Sequence, residues 1–216
     1  MASSRKARLY GGMDAEERRA ERRLKLIDAA IEVYGEVGYR AATVKAICEA
    51  AELTERYFYE SFANSEALLI AAYNHVVDHL HEEMAAAAAS GGDDAELRLR
   101  AALTLYFTRL KEHPKPARVF LLEITGISPA VDAVTLDASR AFSDILVPPA
   151  RDPKRSDKGT TATLLSTGMV GAVISIARRW VSKHYPQPLE EVAAIAASFC
   201  RVALAEADRR RDLHSV

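Results

Sequence analysis

Cys48 and Cys200 are the only cysteines in this chain, and they stand in unrelated segments with no CxxC pair. That scarcity excludes a disulfide framework and a cysteine-built zinc site, and it makes a small buried thiol the expected role of Cys48. A glycine-rich phosphate loop, an HExxH pair and a nucleophile elbow are missing as well, and His113, His184 and His214 stand alone near loops or the terminus. No triad can be assembled from them, so the chain reads as a non-enzyme that needs no cofactor. Alternating strand patterns are absent too. No apolar leader opens the sequence, and the one long uncharged run, residues 159–177, carries Thr160, Thr161, Thr163, Ser166, Thr167 and Ser175. That much hydroxyl argues for a buried helix rather than a membrane span, and for a reduced, cytoplasmic protein.

An excess of charge of either sign is also lacking. The formal net charge is -1 and the pI is near 6.6, which decides nothing about nucleic acid, because an electrostatic footprint is local. With 49% hydrophobic and 27% charged residues over 216 positions, the composition is globular and supports one large or two small domains.

Residues 23–69 hold the most specific pattern present. Leu24, Ile27, Ala30, Ile31 and Tyr34 recur at three and four, which predicts one helical face, and Gly38 stops that helix. Thr43 can cap a second helix whose inward stripe is Val44, Ile47 and Ala51. After a few residues Thr54 is a second cap candidate. Phe58 and Phe62, four apart, anchor a third helix and leave Glu55, Arg56, Tyr57 and Tyr59 to project elsewhere. Short helix, tight turn, short helix is the geometry that delivers one helix into a major groove.

These residues resemble the tetracycline repressor (TetR) family of bacterial transcription regulators. The likeness runs through Gly38-Tyr39, Thr43-Val44, Ile47, Ala51, Leu53-Thr54, Tyr59, Phe62 and Glu66-Ala67-Leu68. Two positions depart from it. Glu52 stands where the family usually has the turn glycine, so a left-handed backbone there costs roughly 1 kcal/mol or the turn differs slightly. Ser65 replaces a lysine that the family usually directs at a phosphate. The resemblance implies a sequence-specific regulator, a homodimer on a palindromic operator, most simply a repressor released by a small-molecule effector. The alternative from another class is a helical homodimer that binds a small molecule or protein partner without specific DNA recognition.

Reach and chemistry rank the roles. Arg56 and Tyr57, in the first turn after Thr54, are the expected base readers, because a guanidinium can grip guanine O6 and N7 and a phenol can meet a thymine methyl. Thr43, Lys45 and Tyr59 suit phosphates, since hydroxyl, ammonium and phenol all donate to anionic oxygen. Glu55 and Glu60 would repel phosphate unless they accept from a cytosine amine or brace an arginine. Basic residues concentrate before Leu26, so residues 1–13 are expected to be a flexible basic arm on DNA, with the helix-turn-helix domain at 14–62.

Residues 63–216 are expected to form a helical effector-binding and dimerisation domain, making the whole chain all-α. Asn64 caps a helix through about Ala89, with Leu69, Tyr73, Val76, Leu80 and Met84 as its stripe, ended by Gly91-Gly92. A helix from about Asp94 to Glu112 is broken by Pro114 and Pro116. Ala117 to Ile124 is a short apolar helix, Ser128-Pro129 opens another to roughly Ile145, and a polar loop spans Val147 to Lys158. The last two helices, carrying Ala162, Gly168, Gly171, Ala172 and Ala177, then Val192, Ile195, Ala196, Phe199, Val202 and Ala203, are the expected four-helix dimer interface. Tyr106, Phe107, Phe120, Phe142, Met169 and Trp180 are candidate effector contacts, though core packing accounts for such residues equally well. His75, Asp78, His79 and Glu82, at spacings of three and four, raise a metal as a rival effector, but they also make an ordinary solvated face. No metal site is assigned.

Overall fold

The computed structural model describes residues 15–147 and 160–213. The expected basic arm and most of the polar loop lie outside them. Among the described residues the chain is helical, without strands: α1 Ala15–Val37, α2 Val44–Ala50, α3 Glu55–Ser61, α4 Ser65–Ala89, α5 Ala95–Glu112, α6 Pro114–Arg118, α7 Pro129–Leu146, α8 Thr160–Ser182 and α9 Leu189–Leu213. Between α6 and α7 a π turn occupies Val119–Glu123.

Short polar side chains set the starts of the helices. Thr43 Oγ1 accepts the Ala46 N–H at 3.1 Å, Asn64 Oδ1 that of Ala67 at 2.8 Å, and Ser128 Oγ that of Val131 at 3.3 Å. Each of these satisfies an orphan amide of a first turn. Asp94 does so twice, for Glu96 and Leu97. Pro114 does not merely break α5; it opens α6 as its first residue, where a missing N–H costs nothing. The helix expected from Ala117 therefore begins three residues earlier and widens into the π turn at Val119.

Helices α1 to α3 pack on one another through Leu26, Ile27, Ala30, Ile31, Tyr34, Ile47, Phe58 and Phe62, all buried. Leu24 departs from the expected stripe: it is exposed, because Arg22 and Arg23 occupy the face of α1 that meets α3. On α4 the buried positions are Leu69, Tyr73, Val77, Leu80 and Met84, and Val76 is only half-buried. Helix α4 packs on α1 at one end and on α5 and α7 along its length, so the same rod belongs to both parts of the molecule. A close approach locks the corner. At Gly35 on α1 a Cβ would lie 2.4 Å from the Cβ of Lys115 on α6, so only glycine allows this spacing.

Helices α8 and α9 pack against each other and against α7 and α5 respectively. Met169, Val170, Val173, Ala177 and Trp180 face inward from α8, and Val192, Ala196 and Cys200 from α9. The single apolar stripe expected on α9 is in fact two. Ile195, Phe199 and Val202 point away from the bundle, Phe199 and Val202 being 56% and 69% exposed, and on α8 Leu164 is exposed with open space around Gly168 and Gly171. Leu164–Ser182 is long and apolar enough to cross a bilayer by length and composition, but a third of it is buried in helix packing here. Cys48 is buried as expected and Cys200 is buried too, and burial pushes the Cys200 thiol up to about 11 and raises that of Cys48.

Candidate nucleic-acid interface

The turn between α2 and α3 is built from three backbone hydrogen bonds. Ala51 N–H donates to Ile47 O at 2.9 Å, Glu52 N–H to Glu49 O at 3.2 Å, and Leu53 N–H to Cys48 O at 2.9 Å. The last two form the paired closure of a helix whose next residue is left-handed, and Glu52 holds that place with φ 55. The turn thus keeps the shape a glycine would take, at a cost of about 1 kcal/mol in backbone strain.

Helix α3 is fixed from below and from behind. Phe58 is fully buried, with Phe62 6.0 Å away ring to ring and Tyr59 edge-on at 5.1 Å. From α1, Arg19 Nη2 donates to Glu60 O and Arg23 Nη1 to Ser61 O, both at 2.9 Å, satisfying carbonyls at the end of α3. The Arg23 guanidinium lies 4.1 Å over Phe62, and that of Arg22 lies 4.5 Å over Tyr57. Sequence reading registered these arginines only as basic charge. Their spacing of three and four along α1 was the available signal, but it did not say what they would face.

What α3 offers outward is Thr54, Glu55, Arg56 and Tyr59, all exposed. The Arg56 side chain is 83% exposed and its Nε donates to Glu60 Oε1 at 2.9 Å, so Glu60 braces the arginine along the helix. Tyr57 is half-buried with its ring covered by Arg22, a different setting from that of the free reader expected. Thr54 occupies the cap position of α3, yet its hydroxyl caps nothing, contrary to expectation and unlike Thr43. Its extended backbone alone starts the helix. Lys45 and Thr43 lie exposed at the start of α2, Lys45 with Glu49 at 3.9 Å.

Residues 26–72 match the model of bacterial regulatory proteins of the tetR family. Through this segment the chain belongs to the tetR family. Beyond it, the chain is 28% identical over 171 residues to the transcriptional activator FasR of Mycolicibacterium smegmatis, a match covering 78% of this chain and 76% of that protein. Among solved structures, the regulator FadR of Bacillus subtilis in complex with stearoyl-CoA superposes with a TM-score of 0.66 at 19% identity, over 82% of this chain and 96% of that one. A TetR-like regulator from Rhodococcus gives 0.62 at 21%, over 86% and 97%. The fold is shared with these two regulators over more than four-fifths of the chain, and residues 26–72 carry the tetR-family match.

The six candidate effector contacts divide. Tyr106, Phe120 and Phe142 line a gap in the bundle with Met84, Val170 and Val173, only about 10 Å³ in volume and so room for about one water. The Tyr106 hydroxyl is buried there without a hydrogen-bond partner among the described residues, and burial raises its pKa. Phe107, Met169 and Trp180 are buried elsewhere: Trp180 stands edge-on to Phe107 at 5.7 Å and donates Nε1–H to Gln187 O at 3.1 Å. The histidine cluster on α4 does not assemble as a chelate. His79 Nδ1 donates to His75 O at 2.8 Å, and no group of three metal-ligating side chains occurs among the described residues.

Proposed function

We propose that the chain is a homodimeric, sequence-specific DNA-binding regulator of a palindromic operator, a repressor released by an apolar small molecule. The observation that carries this reading is the exposed Arg56 on a recognition helix whose other face is locked by Phe58, Phe62 and three arginines of α1. A rigid helix with one braced guanidinium outward suits base reading in a major groove.

The outward stripe of Ile195, Phe199 and Val202, beside Leu164, Gly168 and Gly171, supports dimerisation. Two copies joined there would carry two reading helices, and half-sites about 34 to 36 Å apart would let their affinities add. For the effector, the orphan Tyr106 hydroxyl in an apolar gap supports a ligand with a long apolar body and one acceptor. The stearoyl chain and thioester carbonyl of the stearoyl-CoA held by the FadR neighbour have that character. The gap must widen to admit it, and such a ligand must favour the DNA-incompetent state by linkage.

Affinity for duplex DNA measured over a salt series, with and without stearoyl-CoA, tests the reading. Salt-steep binding that the ligand weakens supports it. Salt-independent or absent binding supports instead the helical dimer without DNA recognition. A promoter reporter fixes the sign, since FasR is by name an activator.

A further inference from the structure

A cavity of about 440 Å³ opens where α1 meets the corner of α4, α5 and α6, on the other side of Phe120 from the aromatic gap inside the bundle. Its floor is apolar: Ile31, Val76, Leu80, Leu110, Ala117 and Phe120. Its rim is polar, and the hydrogen-bonding state of that rim specifies what it can receive.

The cationic donors at the rim are committed. Arg109 donates Nε and Nη2 to both oxygens of Glu83, at 2.8 and 2.9 Å, and Nη1 to Glu112 at 2.9 Å. Lys115, beside the rim, donates to Glu32 at 2.7 Å. The acceptors are less occupied. Among the described residues Asp28 faces only the His75 imidazole, at 3.6 Å, and its side chain is 59% exposed. A carbonyl oxygen can only accept, so His79 Nδ1 carries the proton it gives to His75 O, and in the neutral ring Nε2 is then a bare acceptor. Along the lining the carboxylates Asp28, Glu32 and Glu83 outnumber the one guanidinium, Arg109, and the remaining polar groups are the imidazoles of His75, His79 and His113.

We propose that this cavity binds a small organic cation, one that carries N–H donors on an apolar body. The body lies on the floor between Ile31 and Phe120, and the head donates to Asp28 and to His79 Nε2. A carboxylate head would meet acceptors and net negative charge instead. Because α1 forms one wall and α4 to α6 the others, an occupant contacts both the helix-turn-helix and the bundle. The site does not rest on the DNA reading, and its test needs no DNA.

Isothermal titration of the full-length chain with n-decylammonium, decanoate and decanol, matched in chain length, reads the head-group preference directly. The expected result is one decylammonium per chain, bound more tightly than the other two. Asp28→Asn should weaken it about tenfold, the scale of a lost charge-assisted hydrogen bond. Val76→Phe, which fills the cavity, should remove binding, and Val173→Phe in the aromatic gap should leave it unchanged. Thermal melts check that each variant is folded, and the exposed Asp28 position keeps the test available if Val76→Phe is not. Decanoate or decanol binding as tightly as decylammonium, unchanged binding in Asp28→Asn, or loss of binding in Val173→Phe would each overturn the proposal.

Discussion

The carboxylate of Glu123, in the π turn of the bundle, accepts the backbone N–H of Tyr39, in the turn that leads to α2, at 2.8 Å. Its other oxygen takes Arg118 Nε at 2.7 Å, and Arg118 Nη1 reaches on to Glu36 O at 3.2 Å. Gly38, with φ 86, leaves just enough room: a Cβ there would lie 3.0 Å from Glu123 Oε2. One carboxylate therefore ties the exit of α1 to the bundle. Glu123→Ala leaves the Tyr39 amide and Arg118 without their acceptor and should lower stability by about 1 to 3 kcal/mol. Urea unfolding checks this, and an unchanged midpoint would show that water replaces the contact.

Arg56→Ala should reduce affinity for the preferred operator by about 1 to 3 kcal/mol and relax preference at one position in each half-site. Binding of a panel of single-base operator variants reads both effects. If affinity and preference are both unaltered, the exposed guanidinium with its Glu60 brace is a surface ion pair and nothing more.

Arg19 and Arg23 cap α3 rather than stand free, so replacing both by alanine should weaken binding to all DNA sequences alike. Because they serve the helix and not phosphates, the slope of affinity against salt should stay the same. A slope reduced by about 2 would mean that each arginine neutralises a phosphate.

Phe199→Glu, at a 56% exposed site on the outward face of α9, should convert a dimer to a monomer that is still helical. Sedimentation equilibrium and circular dichroism together decide it. An unaltered mass would locate the interface elsewhere.

Legibility in the sequence followed the range of the interaction. Thr43, Asn64 and Ser128 act within three residues, and the helix starts they set could be read directly, whereas Asp94, expected as the first residue of its helix, caps it instead. Phe58 and Phe62 could be read too, because a four-residue repeat on a short helix has one way to face inward. The Thr54 hydroxyl could not, since cap position and cap bond are separate events and only the former is written in residue type. Leu24 misled because at this level of α1 the side toward α3 is held by Arg22 and Arg23, over Tyr57 and Phe62, which a hydrophobic pattern passes over. The Glu123 to Tyr39 bond spans 84 positions and leaves no periodicity. On α9 both faces are apolar, so hydrophobicity alone could not separate Ile195, Phe199 and Val202, outside, from Val192, Ala196 and Cys200, inside. For the same reason residue type alone could not separate the aromatic residues that line the gap, Tyr106, Phe120 and Phe142, from those that only fill the core.

Selection from a randomised duplex library at moderate salt shows whether α3 reads DNA sequence. The expected result is an enriched palindrome whose half-sites are spaced for two α3 helices of one dimer, with Arg56→Ala losing one specified base in each half. Retention of DNA without any enriched sequence, or no retention at any salt, would contradict it.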